Sequence, residues 1–156
     1  MGVNRHRPHI HILPEDDANR QLANGFELNL DLSQIQVLPV AGGWTHVRDE
    51  FLGVHAREMR RFPHRFFVLM IDSDKDEGRI ASIRASIPED VAGRVFILGV
   101  LSEPEDLKRQ GLGSFEAIGR TLAEDFKQGV QGLWAHDLMK HNTAELSLLR
   151  RVYCVA

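Results

Sequence analysis

The stretch Phe66-Phe67-Val68-Leu69-Met70-Ile71-Asp72-Ser73-Asp74-Lys75-Asp76 decides how this chain reads. Its apolar half is far shorter than the ~20 residues a membrane span needs. It fits a central parallel strand, which is buried on both faces and so shows no polar alternation. The run then breaks into three aspartates at alternate positions, the spacing a turn after a strand can aim at one place. Working outward, residues 95–101 form a second apolar strand, followed by Ser102-Glu103-Pro104-Glu105-Asp106. Upstream, residues 9–13 form a short strand ended by Pro14 and followed by Glu15-Asp16-Asp17. Residues 35–40 form another, with Pro39 marking its end or a sheet edge.

Helical patterns fill the gaps. Asp16 or Asp17 caps a helix running to about Ala23, where Asn24-Gly25 is expected to stop it. After Gly42-Gly43, Trp44, Val47, Phe51 and Val54 recur at spacings of three and four, which predicts an amphipathic helix to about Arg61, closed by Pro63. Shorter helices are expected over 77–86 and 105–110. Ser114 caps a helix to Lys127 with Phe115, Ile118, Leu122 and Phe126 on one face, and a last helix over 143–152 turns Leu146, Leu149 and Val152 inward. Strand and helix in alternation predict an α/β fold: a four-stranded parallel sheet flanked by helices, with a C-terminal helical extension. Residues 1–8 read as a flexible N-terminus, 9–107 as the α/β core, and 108–156 as an extension of the same domain.

Composition limits the function. The 156 residues fit one domain, and 43% hydrophobic with 26% charged residues is ordinary for a globular chain. No apolar run is long enough for a membrane, and the basic start, Met1 to Pro8, leads into no signal-peptide core. The single cysteine, Cys154, makes neither an intrachain disulfide nor a thiolate zinc site, so a cytoplasmic location is expected. A net charge of −3 is not the footprint of a strong nucleic-acid binder. Such a role needs local clusters: Arg5/Arg7, Arg57/Arg60/Arg61/Arg65 or Lys108/Arg109. Among these, Arg57, Arg61, Lys108 and Arg109 are the candidate nucleic-acid contacts.

If the sheet is parallel, three acidic clusters fall on its carboxyl edge, where ligands of open α/β sheets bind. Two carboxylates ~4 Å apart repel by roughly 4 kcal/mol at an effective dielectric near 20. They must take up protons or a cation. All-oxygen ligands suit Mg2+ or Mn2+, which retain water and accept phosphate oxygens. Glu15, Asp72, Asp74, Asp76 and Glu105 are the candidate metal ligands. Asp16 and Asp17 read as helix caps.

The order of these elements resembles the TOPRIM family, shared by topoisomerases, bacterial primases and overcoming-lysogenization-defect nucleases. The family has a glutamate after its first strand and a DxD motif after its third. Here His11-Ile12-Leu13-Pro14-Glu15 resembles the first element and Val68-Leu69-Met70-Ile71-Asp72-Ser73-Asp74-Lys75-Asp76 the second. Glu105 is similar to the glutamate that follows the fourth strand in small stand-alone members. The family glutamate is commonly followed by glycine, where Asp16 stands here. The resemblance covers about residues 9–107 and implies a Rossmann-like TOPRIM fold. A topoisomerase would need a tyrosine on another domain and a primase further template-handling domains, and the 156 residues read as one domain. The implied activity is therefore a magnesium- or manganese-dependent nuclease, of the kind that accompanies an ATPase in bacterial anti-phage defence. Glu15, Asp72 and Asp74 would be catalytic ligands, with Lys75 as the cation facing the phosphate. The implied partners are nucleic acid and an ATPase subunit, or a second copy of the chain.

Two rival readings stay open. A phosphoacceptor receiver domain also has an acidic pair after its first strand and an aspartate after its third, but it carries a lysine after a fifth strand, and no fifth strand is found. A catalytically silent subunit would use the fold only for partner binding. Among weaker signals, His9 and His11 share one strand face and read as a packed pair before a metal pair. Gly42-Gly43 reads as a turn before a phosphate loop. Trp44 and Trp134 read as core or interface anchors, not as base-stacking platforms.

Overall fold

The computed structural model describes residues 8–29 and 35–155. The expected N-terminal segment 1–8, apart from Pro8, lies outside the described residues, as do the side chains of Tyr153 and Cys154.

Four strands form one sheet in the order β2-β1-β3-β4: β1 (His9–Pro14), β2 (Ile35–Val37), β3 (Arg65–Met70) and β4 (Val95–Leu98). All three pairings are parallel. Register places Leu13 beside Leu69 and Leu69 beside Ile97. Side chains alternate across the sheet, so each strand contributes to two cores. Ile10, Ile12, Val68, Phe96 and Leu98 face one core; Leu13, Phe67, Leu69, Val95 and Ile97 face the other. The expected α/β architecture, Rossmann-like with helices on both faces, is the one found.

On the first face lie α1 (Asp17–Asn29), α7 (Phe115–Gln128) and α8 (Thr143–Val155). The residues read as a C-terminal extension therefore complete this core, with Ile118, Leu122, Phe126, Leu146 and Leu149 all buried in it. Helix α1 does not stop at Asn24-Gly25 but runs through it. A Cβ on Gly25 would strike the backbone of Glu116 and Arg120, and one on Gly119 would strike the backbone of Leu22. The glycine read as a stop signal instead lets α1 and α7 lie backbone against backbone.

The second face is covered by α2 (Trp44–Glu50), a π-helical turn (Phe51–His55), α3 (Ala56–Arg61), α4 (Glu77–Ser86) and the short α5 (Glu89–Ala92). The expected helix over 44–61 is present, but the π turn inserts one residue into its register. Val54, expected inward, is 52% exposed, and Ala56 and Met59 are buried in its place. The same turn brings Glu50 and His55 together, His55 Nε2 lying 2.8 Å from Glu50 Oε2.

The sheet stops at β4 for a physical reason. Its outer edge is filled by side chains. Asn142 Oδ1 accepts from the Gly99 N–H (3.1 Å) and its Nδ2 donates to the Gly99 carbonyl (2.9 Å). Glu145 Oε2 accepts from the Ile97 N–H, and Arg84 Nη1 donates to the Val95 carbonyl. With these groups occupied, the edge offers little to a further strand.

Candidate active site at the carboxyl edge

Strand order reverses between β1 and β3, so the segments leaving them diverge and open a crevice. Glu15 follows β1 and Asp72 follows β3, one on each side of it. The two meet: the Asp72 backbone N–H donates to Glu15 Oε2 at 2.9 Å. Asp16 caps α1, its Oδ1 accepting from the Asn19 N–H at 2.9 Å. Asn19, fully buried in the first turn of α1, donates from Nδ2 to both Asp16 Oδ1 (3.1 Å) and Asp72 Oδ2 (3.0 Å).

Across the crevice stands Arg79, in the first turn of α4. Its Nη1 donates to the Asp72 carbonyl at 2.8 Å, its Nη2 lies 3.8 Å from Asp74 Oδ2, and its guanidinium carbon sits 5.2 Å from the centre of the Trp44 ring. Gly42 and Gly43, both at positive φ, turn their N–H groups onto the Glu15 carbonyl and deliver Trp44 to the crevice. The glycine pair is thus a turn clasping the first strand's end.

The electrostatics follow from this packing. Asp72 is only 6% exposed, and its pKa is pushed up to about 8. Burial is the main cause; the negative charges of Glu15 and Asp16 add to it, and the hydrogen bond from Asn19 and the nearness of the Val100 amide temper it. Glu15 is also raised, first by burial and then by Asp16 and Asp74, against the pull of the Asp72 N–H and Arg79. The edge is therefore one where burial and like charge favour the protonated carboxyl groups. Hydrogen-bond supply is unbalanced as well. Asp72 Oδ1 and Asn19 Oδ1 are buried acceptors with no partner of hydrogen-bonding geometry, and Arg79 Nε is a buried donor with none. Buried groups of this kind are taken up by an ordered water, an ion or a ligand, or take part in a reaction.

The remaining candidates are spread around this pair. Asp74 is 72% exposed and turned toward Arg79. Asp74 and Lys75 both adopt left-handed backbone (φ 49° and 57°), and the loop is fixed by N–H bonds from Asp74 to the Ser102 carbonyl and from Lys75 to the Leu101 carbonyl. Lys75 is exposed and lies toward Asp106. Asp76 caps α4 by accepting from the Gly78 N–H at 3.0 Å. Glu105 is half-buried on the first turn of α6 (Pro104–Arg109), with no side-chain bond to Glu15 or the aspartates. Among the described residues, no three His, Cys, Asp or Glu side chains converge as a ready-made metal site.

The four arginines and lysines expected to contact nucleic acid are divided. Helix α3 runs antiparallel to the strands, so its exposed Arg57 and Arg61 fall at the amino end of the sheet, away from Asp72. Lys108 and Arg109 are near the carboxyl edge, but Lys108 lies over the Phe115 ring and Arg109 pairs with Asp106 and Glu103. The cation beside the acidic pair is Arg79, and Arg48 lies 5.7 Å from the centre of the Trp44 ring that Arg79 also approaches. Sequence reading missed both, and missed Asn19. An arginine inside a helical run and an asparagine after two aspartates carry no spacing signal of their own. His11 packs its ring on Phe67 (5.4 Å between centres), in keeping with a packed histidine.

No protein-family model, curated protein or solved structure matches this chain. No helix among the described residues is long and apolar enough to cross a membrane.

Proposed function

We propose that this chain is a metal-dependent nuclease of TOPRIM type, hydrolysing phosphodiester bonds at the crevice between β1 and β3. One observation carries the reading: unsatisfied buried acceptors (Asp72 Oδ1, Asn19 Oδ1) and an unsatisfied buried donor (Arg79 Nε) at the same sheet edge. The acceptors want a cation and the donor wants an anion, and a metal-bound phosphate is both.

The donor set fits magnesium or manganese. Magnesium is ordinarily held by one or two carboxylates, with water and substrate phosphate completing its shell. Glu15 and Asp72 would supply that pair, and Asp74 is a further, exposed carboxylate on the loop after β3. Such an ion supplies Lewis acidity at the phosphoryl oxygen and a more acidic bound water. To hold such an ion, Asp72 would act as the carboxylate, its proton exchanged for the cation. Asn19 holds the Asp72 carboxylate in one orientation. Arg79, anchored on the Asp72 carbonyl and the Trp44 ring, faces the charge that develops on the phosphate, the role first given to Lys75.

A receiver-type reading has less support. Its phosphoacceptor would be Asp72, which is buried and holds its proton, and the filled edge of β4 leaves no place for the strand that carries the lysine. Work alongside an ATPase in anti-phage defence, or as a homo-oligomer, rests on the family resemblance alone. The deciding test is cleavage of plasmid and single-stranded DNA and of RNA with and without Mg2+ or Mn2+, for wild type, Glu15→Gln and Asp72→Asn. Metal-dependent cleavage lost in both variants supports the proposal; no cleavage together with no Mn2+ binding by calorimetry rejects it.

A further inference from the structure

We infer that the first core holds a dry binding site for a small saturated hydrocarbon, in a cavity between the sheet and helices α1, α7 and α8. The site lies apart from the crevice and does not depend on the nuclease reading.

The cavity measures about 50 Å3. Ile12 and Val68 line it from the sheet, and Ala23, Leu122 and Leu149 from the three helices. Every lining residue is buried except Phe26 and Met70, which are half-buried. Backbone contact at Gly25 and Gly119 fixes α1 against α7, so α1 is not free to settle further onto the sheet. Ala23 has only a methyl group to offer the gap, and neighbouring side chains close such gaps only in part.

The cavity is dry because its polar groups are spent. A buried water needs about two to four polar partners, and empty cavities are apolar. Trp134, on the wall, donates its indole N–H to the Leu122 carbonyl at 2.9 Å. Asn142 takes both the N–H and the carbonyl of Gly99. Among the described residues, the buried side-chain atoms without a partner belong to Asn19, Asp72, Arg79 and Ser102, none of which lines the cavity.

Size and lining together set the ligand class. At about 30 Å3 for a group the size of water, the 50 Å3 space takes a guest of about two heavy atoms. Dry apolar cavities in proteins accept apolar guests such as benzene or xenon. A guest with a hydroxyl group gives up its hydrogen bonds to water and finds none here. The flexible thioethers of Met70 and Met139 let the wall adapt to what enters. Ethane has the matching size and chemistry; methanol has the same number of heavy atoms and the wrong chemistry.

The test is NMR of the full chain labelled at its methionine methyl groups, with dissolved ethane and, separately, with methanol. Met70 and Met139 line the cavity, whereas Met59 is buried in the second core and serves as the internal control. Ethane is expected to shift the Met70 and Met139 signals saturably and to leave Met59 in place. Methanol is expected to shift none of the three. Ala23→Val fills the cavity from α1 and should abolish the ethane shifts. Absence of a saturable shift in wild type overturns the inference. So does an equal shift at Met59, or a methanol shift as large as that of ethane. A folded Ala23→Val that keeps the ethane shifts overturns it as well. Should Ala23→Val fail to fold, Val68→Ile fills the cavity from the sheet and is judged in the same way.

Discussion

The two ends of the sheet treat buried polar groups in opposite ways. At the amino end, Arg94 donates to three backbone carbonyls: Phe62 (3.1 Å), Arg65 (2.9 Å) and Met59 (3.0 Å). It ties the end of α3 to the start of β3, and among the described residues no buried side-chain atom at that end lacks a partner. At the carboxyl end, Arg79 makes one such bond and leaves Nε unused, beside a carboxylate that keeps its proton. The first arrangement minimises the energy of the folded chain alone. The second stays unfinished until something binds. Function is expected at the end where the hydrogen bonds do not close.

The largest effect expected is on activity at the unfinished end. Asp72→Asn should reduce metal-dependent cleavage by at least about 100-fold, read as single-turnover rates on DNA and RNA. The same variant should be more stable than wild type, by about 2 kcal/mol near neutral pH in urea unfolding, because folding at that pH must put a proton on Asp72, a cost its neutral isostere does not carry. A loss of both activity and stability would dissolve the contrast between the ends.

Next in size is the converse variant at the finished end. Arg94→Ala removes three hydrogen bonds, the Phe62 carbonyl keeping the Arg65 N–H, and should cost about 3 kcal/mol in urea unfolding. Cleavage per folded molecule should be unchanged. A specific loss of activity there would place chemistry at the wrong end of the sheet.

The pH dependence of stability sharpens the comparison, because two buried groups give it opposite slopes. Asp72 titrates near 8 in the folded chain against an ordinary 3.8. Its contribution is fully present at the acid side of that window and fades as pH rises through it. His11 is lowered from 6.5 to about 4, by burial first and then by Arg65, His55 and His9. Its contribution is present above 6.5 and fades as pH falls toward 4. Thermal unfolding across this range should lose its alkaline decline in Asp72→Asn and its acid decline in His11→Leu.

The smallest effect concerns the aspartate loop. Lys75 holds a left-handed φ of 57°, which costs a non-glycine residue about 1 kcal/mol. Lys75→Gly should therefore be neutral to slightly stabilising in urea unfolding. It should leave cleavage within about threefold if Arg79 is the cation facing phosphate. A much larger loss of activity would restore Lys75 to that role.

Much of this was legible in the sequence and some was not. The run from Phe66 to Ile71 announced a strand buried on both faces, because only such a strand needs six apolar residues without alternation. Parallel strands in turn forced Glu15 and Asp72 onto one edge. By contrast, Asn24-Gly25 carried the local signal of a helix end, and the contact with Gly119 overrode it. Val54 fitted a regular helical stripe until the π turn shifted the register.

The chain by itself determined which segments are strands, which helices cover them, and which edge gathers the carboxylates, because periodicity and strand direction are local properties that sum to a topology. The tertiary structure alone decided that Asn19 grips Asp72, that Arg79 and Trp44 stand across from it, and that Arg57 and Arg61 lie at the far end. Those relations join residues distant in sequence. Their strength depends on burial, which raises the cost of an unpaired charge or hydrogen bond and which no spacing along the chain records.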